Sequence, residues 1–154
     1  MTGNAAVRLR GLTKIFANGV MAVGPIDLAV GEGEFVALLG PSGCGKSTVL
    51  RMIAGLIAPT AGEVAVAAGG GSAARGAGLG FVFQEPTLMP WASALDNVKL
   101  PLRLARLPEK EATARALTAL ERVGLADFAG AFPRELSGGM KMRVSIARAL
   151  APDP

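Results

Sequence analysis

One cysteine, Cys44, stands in the 154 residues, which excludes an intramolecular disulfide and fits a reducing compartment. No apolar stretch reaches the ~18 uncharged residues that a membrane-crossing helix needs, so nothing here is expected to span a bilayer. Residues Met1 to Arg10 lack an apolar core followed by a small-residue cleavage site, and no signal peptide is expected. Aromatic residues make up 5% of the chain, and its 16 Lys and Arg are dispersed, with no dense basic run and no interleaved aromatics. That removes the usual footprint of a nucleic-acid binder, and no nucleic-acid partner is expected. The net charge of +4 fits ordinary solubility, or attraction to phosphate in a nucleotide or a lipid headgroup.

What remains is a foldable chain. It is 51% hydrophobic and 18% charged, which makes a packed core affordable and disorder unexpected. The length suggests one domain. Much of the apolar content is Ala, which buries little area per residue. The 21 glycines suit tight turns and close backbone approach.

The first third reads as short strands. Val7 to Leu12 and Ile26 to Val30 alternate apolar and polar side chains. Glu34 to Leu39 is a nearly continuous apolar run ended by Gly40, which predicts a strand buried on both faces. Lys46 to Ala54 reads as a helix with Gly55 at its end. Glu63 to Ala67 and Leu79 to Phe83 return to strand character, and Ala68 to Gly78 reads as a loop or frayed hairpin. After Gln84 helices take over. Ser93 with Asp96 predicts a capped helix start, and Pro101 is expected to end or kink that helix near Leu100. Glu109 to Val123 is amphipathic, with Ala112, Ala116, Leu120 and Val123 on one face. Ser137 to Leu150 is the last helix, with Met140, Val144, Ala147 and Ala151 at helical spacing. The expected architecture is an α/β core over residues 1–84 and an inserted helical subdomain over residues 85–154.

Gly40-Pro41-Ser42-Gly43-Cys44-Gly45-Lys46-Ser47 satisfies the phosphate-loop pattern in full, between a predicted strand and a predicted helix. The chemistry demands these residue types. Backbone N–H groups must wrap around phosphate oxygens, so a Cβ at Gly43 or Gly45 obstructs the approach. The wrapped N–H groups and the positive end of the following helix favour anions. Lys46 adds a mobile charge for the β- and γ-phosphates, and the Ser47 hydroxyl is placed to ligate Mg2+. Thr48 is expected to serve the α-phosphate side. Cys44 is a small residue at a permissive position in this loop.

Leu136-Ser137-Gly138-Gly139 lies at the start of a predicted helix and offers a hydroxyl and close-approach N–H groups, a second anion site suited to a γ-phosphate. Together with the helix that follows, Met140 to Leu150, it resembles the signature motif of ABC-transporter ATPases. Phe81-Val-Phe-Gln84 is similar to that family's Q-loop. The resemblance implies that Gln84 reaches Mg2+ and the attacking water, and that its loop senses the membrane partner. Phe16 sits where the family places an aromatic on adenine; core packing is the other reading. Gly55 to Gly62 also fits. Pro86 to Trp91 and Leu95 to Val98 look most like importers of the nitrate, sulfonate and taurine type.

The resemblance therefore implies a P-loop NTPase core with a mixed sheet, ATP and Mg2+ as cofactors, and a place on the cytoplasmic face of the inner membrane. It implies a permease subunit, a second ATPase subunit packed head to tail, and a solute-binding protein as partners. The family also carries a strand after the signature helix, ending in an Asp for Mg2+ and a Glu for water, then a switch histidine. The 154 residues contain no histidine, and Asp153 is no credible substitute for the missing Asp. The chain is thus expected to be an N-terminal part of such an ATPase, with hydrolysis very slow. A soluble ABC protein acting on nucleic acid or ribosomes, and a non-catalytic interaction fragment, are the competing readings.

Overall fold

The computed structural model describes residues 5–67 and 79–154. The stretch read as a loop or frayed hairpin, Ala68 to Gly78, lies outside them. Two compact units form, Met1–Ala77 and Gly78–Pro154, each with its own apolar core.

In the first unit, β1 (Ala5–Ile15), β2 (Met21–Gly31) and β3 (Ala61–Val66) make an antiparallel sheet in the order β2-β1-β3. The register sets Leu9 opposite Leu28 on one side and Val64 on the other. Leu9 and Leu12 are both buried, although residues three apart face opposite sides of a regular strand. The pairing shifts between them. There Gly11 takes a φ of 53° and donates its N–H to Asp27 Oδ1 at 2.8 Å. The irregularity resets the alternation and turns both leucines onto the core. Helix α1 (Lys46–Ile53) closes that core with Val49 and Met52, three residues apart on one face. Each such buried side chain stabilises by about 1.5–3 kcal/mol.

The strand expected over Glu34 to Leu39 is corrected. Residues 34–40 pair with no strand among the described residues. Leu38 packs against the core, but Phe35 and Leu39 are 93% and 91% exposed. An apolar run becomes a strand only where neighbours take up its N–H and C=O groups. Leu79 to Phe83 departs from expectation for the same reason: it pairs with no strand among the described residues, and the rings of Phe81 and Phe83 instead pack edge to face with centroids 4.7 Å apart.

The second unit packs α2 (Ala94–Leu104), α3 (Glu109–Arg122) and α4 (Gly138–Leu150) around Val98, Leu102, Ala116, Leu120, Val144 and Ala147. Ser93 caps α2: its Oγ accepts the Asp96 N–H at 3.1 Å and donates to Asp96 Oδ2 at 2.8 Å. The helix does not end near Leu100, one of the two outcomes expected of Pro101. Pro101 lies inside α2, and its carbonyl accepts the Ala105 N–H at 3.0 Å. Proline forfeits one bond to the preceding turn, but buried Val98 and Leu102 hold the segments on either side against the core. Asp96, Lys99, Arg103 and Glu109 form an ion cluster joining α2 to the first turn of α3. Hydrogen bonds from Arg103, then Lys99, lower the Glu109 pKa to about 2. Among the described residues no helix is long and apolar enough to cross a membrane.

Candidate functional site

The loop from Gly40 to Gly45 runs into α1, and its shape follows from close approach. Gly45 is the residue before the helix, at a φ of 93°. A Cβ there would drive into the carbonyl of Ala22 at the start of β2, so the loop lies directly on that strand. Pro41, Ser42, Gly43 and Cys44 are exposed. No side chain caps α1 and no acidic residue lies in its first turn. The N–H groups of that turn therefore point outward with the positive end of the helix dipole. Ser47 is exposed there and Thr48 half-buried.

Lys46 folds back over this loop. Its Nζ donates to the Gly40 and Pro41 carbonyls, both at 2.7 Å, and lies 3.3 Å from Cys44 Sγ. The ammonium is thus held beside the exposed amides on bonds that a phosphate oxygen can replace. Phe16 follows β1, is 43% exposed and lies outside the core cluster. The Lys14 ammonium stands 5.6 Å from the ring centroid.

In the second unit, Ser137 caps α4: its Oγ accepts the Met140 N–H at 3.3 Å. Leu136 is buried, whereas Ser137, Gly138 and Gly139 are exposed. A Cβ on either glycine would meet nothing within 4 Å, so this helix start is open to a large group. Gln84 is exposed at a bend. A groove of about 340 Å³ between α3 and the end of α4, lined in part by Arg115 and Arg122, contains none of these residues.

The ABC transporter family matches residues 23–154. The chain belongs to it. Two relatives illustrate the likeness. A taurine import ATP-binding protein of Rhizobium johnstonii is 48% identical over 139 residues, which is 90% of this chain and 53% of the relative. An aliphatic sulfonates import ATP-binding protein of Mesorhizobium japonicum is 46% identical over 154 residues, 99% of this chain and 56% of the relative. This ABC chain therefore spans about half the length of the curated relatives it matches. A solved ATP-binding cassette, captured as a dimer after hydrolysis with ADP and Pi bound, is 40% identical with a TM-score of 0.87. The match covers 96% of this chain and 70% of that one. The P-loop NTPase fold of such cassettes is thus the fold of this chain.

Sequence reasoning missed two residues that organise this ABC chain around Gln84. Arg148 on α4 donates to the Pro86 and Thr87 carbonyls and to Thr87 Oγ1, each at 3.0 Å. Burial pushes its pKa down. Asn97, fully buried, bonds Met89, Ala92 and Ser93 and so shapes the loop that carries Trp91. Helical spacing offered a signal for Asn97, which shares a face with Ala94 and Val98. Nothing in the sequence paired Arg148 with a turn some sixty residues away.

Proposed function

We propose that this chain binds ATP with Mg2+ through Gly40 to Thr48, as part of the ATP-binding subunit of an ABC importer for sulfonate- or taurine-like solutes. The observation that carries the proposal is the Lys46 ammonium held on loop carbonyls beside an uncapped, outward-facing helix start. These residues fit a triphosphate: amides and an ammonium for the phosphate oxygens, the Ser47 hydroxyl for the metal, and an exposed Phe16 ring for adenine. Among the described residues no group of three or more His, Cys, Asp or Glu side chains gathers to hold a metal. The Ser47 hydroxyl and the phosphates would hold Mg2+.

The open start of α4 suits the γ-phosphate side of an ATP held by a second copy. Ser137, Gly138 and Gly139 of one subunit would face the Lys46 loop of the other, head to tail. The solved cassette captured as a dimer supports pairing of two copies. The names of the relatives say import, which supports a transport role; a permease, a solute-binding protein and a peripheral position at the inner membrane belong to the same proposal. In the complete assembly, dimer closure on nucleotide would drive transport, with Gln84 orienting water. The division into a nucleotide core over residues 1–84 and a helical subdomain over residues 85–154 belongs to this proposal.

The exposed thiol of Cys44 tests the site locally. MgATP is expected to slow its alkylation by at least ~10-fold at saturation, by covering the loop and drawing Lys46 away. Equal rates with and without nucleotide would count against a triphosphate seated here.

A further inference from the structure

The segment that carries Gln84 meets the last turns of α4 at both of its ends. Upstream, a Cβ added to Gly80 would lie 2.9 Å from the Ala149 carbonyl oxygen, so the backbone there passes directly over the helix. Downstream, the Arg148 guanidinium reaches the carbonyls of Pro86 and Thr87 and the Thr87 hydroxyl. Between these two attachments, Val82 to Glu85 are exposed. Gln84 therefore sits on a short span slung between two points of one helix.

The downstream attachment holds a strained turn. Thr87 has a φ of 45°, in the left-handed region that a β-branched residue rarely adopts. Such a conformation persists only where its surroundings hold it. Arg148 presents a planar fork that can satisfy two carbonyls and a hydroxyl at once, which a single ammonium nitrogen cannot match in geometry. The guanidinium is half-buried against Ser145, whose Oγ lies 3.5 Å away, and this packing fixes its direction.

We propose that Arg148 is a positioning residue for Gln84: it ties the turn after Gln84 to α4, so that the Gln84 loop and the helix opened by Ser137 move as one body. Displacement of the helix is then transmitted to the Gln84 side chain without slack. The role assigned to Gln84 rests on the function proposed above, whereas the tether itself does not.

Gln84 is the sole glutamine in the chain, so glutamine labelled with 15N gives one backbone and one side-chain amide signal set without any added probe. Relaxation of these signals is compared in the unaltered chain, in Arg148→Ala and in Arg148→Lys, with backbone amides of α3 as internal reference. The unaltered chain is expected to show an ordered Gln84 backbone, with an order parameter near ~0.85. Arg148→Ala should lower it below about 0.6 while α3 is unmoved. Arg148→Lys should fall between, because charge and stem survive but the fork is lost. Unchanged Gln84 order in a folded Arg148→Ala chain would overturn the tether. If Arg148→Ala does not fold, Arg148→Lys decides, and Gln84 order equal to that of the unaltered chain overturns the proposal. MgATP added to the unaltered chain separates the two ideas. A loosened loop in the variants without any MgATP-induced shift of the Gln84 signals would count against the proposed function and leave the tether standing.

Discussion

Asn97 and Met89 exchange two hydrogen bonds: the Met89 N–H donates to Asn97 Oδ1 at 2.7 Å, and Asn97 Nδ2 donates to the Met89 carbonyl at 3.2 Å. The side-chain amide behaves as a piece of backbone and completes a pairing for a loop that has no strand neighbour among the described residues. Its Nδ2 also serves the Ala92 and Ser93 carbonyls. Replacing Asn97 with Ala leaves these groups without partners. Leaving one such buried group unpaired costs about 1–3 kcal/mol. The variant is expected to lose about 2–4 kcal/mol in urea unfolding, with added mobility of Trp91, the chain's sole tryptophan. A loss under ~0.5 kcal/mol would show that water replaces the amide freely.

Leu120 is fully buried among Ala112, Ala116, Val144 and Leu125 in the helical unit. Leu120→Ala opens a cavity among small side chains that cannot close over it. The expected cost is about 2–5 kcal/mol, read as a lower unfolding midpoint of this unit.

The ion cluster at the start of α3 makes a pH prediction. The Glu109 pKa falls to about 2 on folding from an ordinary 4.5, chiefly through the Arg103 hydrogen bond and then that of Lys99. A depressed carboxylate stabilises fully above its unfolded pKa, and that contribution is lost as pH falls through the folded value. Between about pH 4.5 and pH 2, the unaltered chain should therefore lose stability more steeply than Glu109→Gln. Glu109 is well exposed, so salt should shrink the difference. Parallel acid-unfolding curves for the two proteins would contradict the assignment.

Gly45 carries a backbone prediction. A Cβ at this position collides with the Ala22 carbonyl and meets a left-handed φ as well. Gly45→Ala should destabilise the first unit by more than about 1 kcal/mol and displace the loop. Circular dichroism melts read the first effect and nucleotide affinity the second.

The local grammar of the chain was legible and its long-range pairing was not. Ser93 and Ser137 cap helices because a hydroxyl followed three residues later by a free N–H is a local device, readable from a few letters. The face of Ala112, Ala116 and Leu120 follows from helical period alone. The passage from loop to helix at Lys46 was legible because Gly43 and Gly45 precede a helical pattern. The strand expected at Glu34 to Leu39 failed because strand formation depends on a neighbour that composition cannot supply. Pro101 does not end α2, because flanking burial outweighs one lost bond. The Arg148 tether to Thr87 spans 61 residues, beyond any local pattern.

Calorimetric titration of MgATP into the chain, beside the same titration into Lys46→Ala, tests the central claim most directly. Binding to the unaltered chain and a loss of at least ~10-fold in affinity in the variant, about 1.4 kcal/mol, are predicted. No heat of binding to the unaltered chain, or equal affinities in the two proteins, would contradict the account.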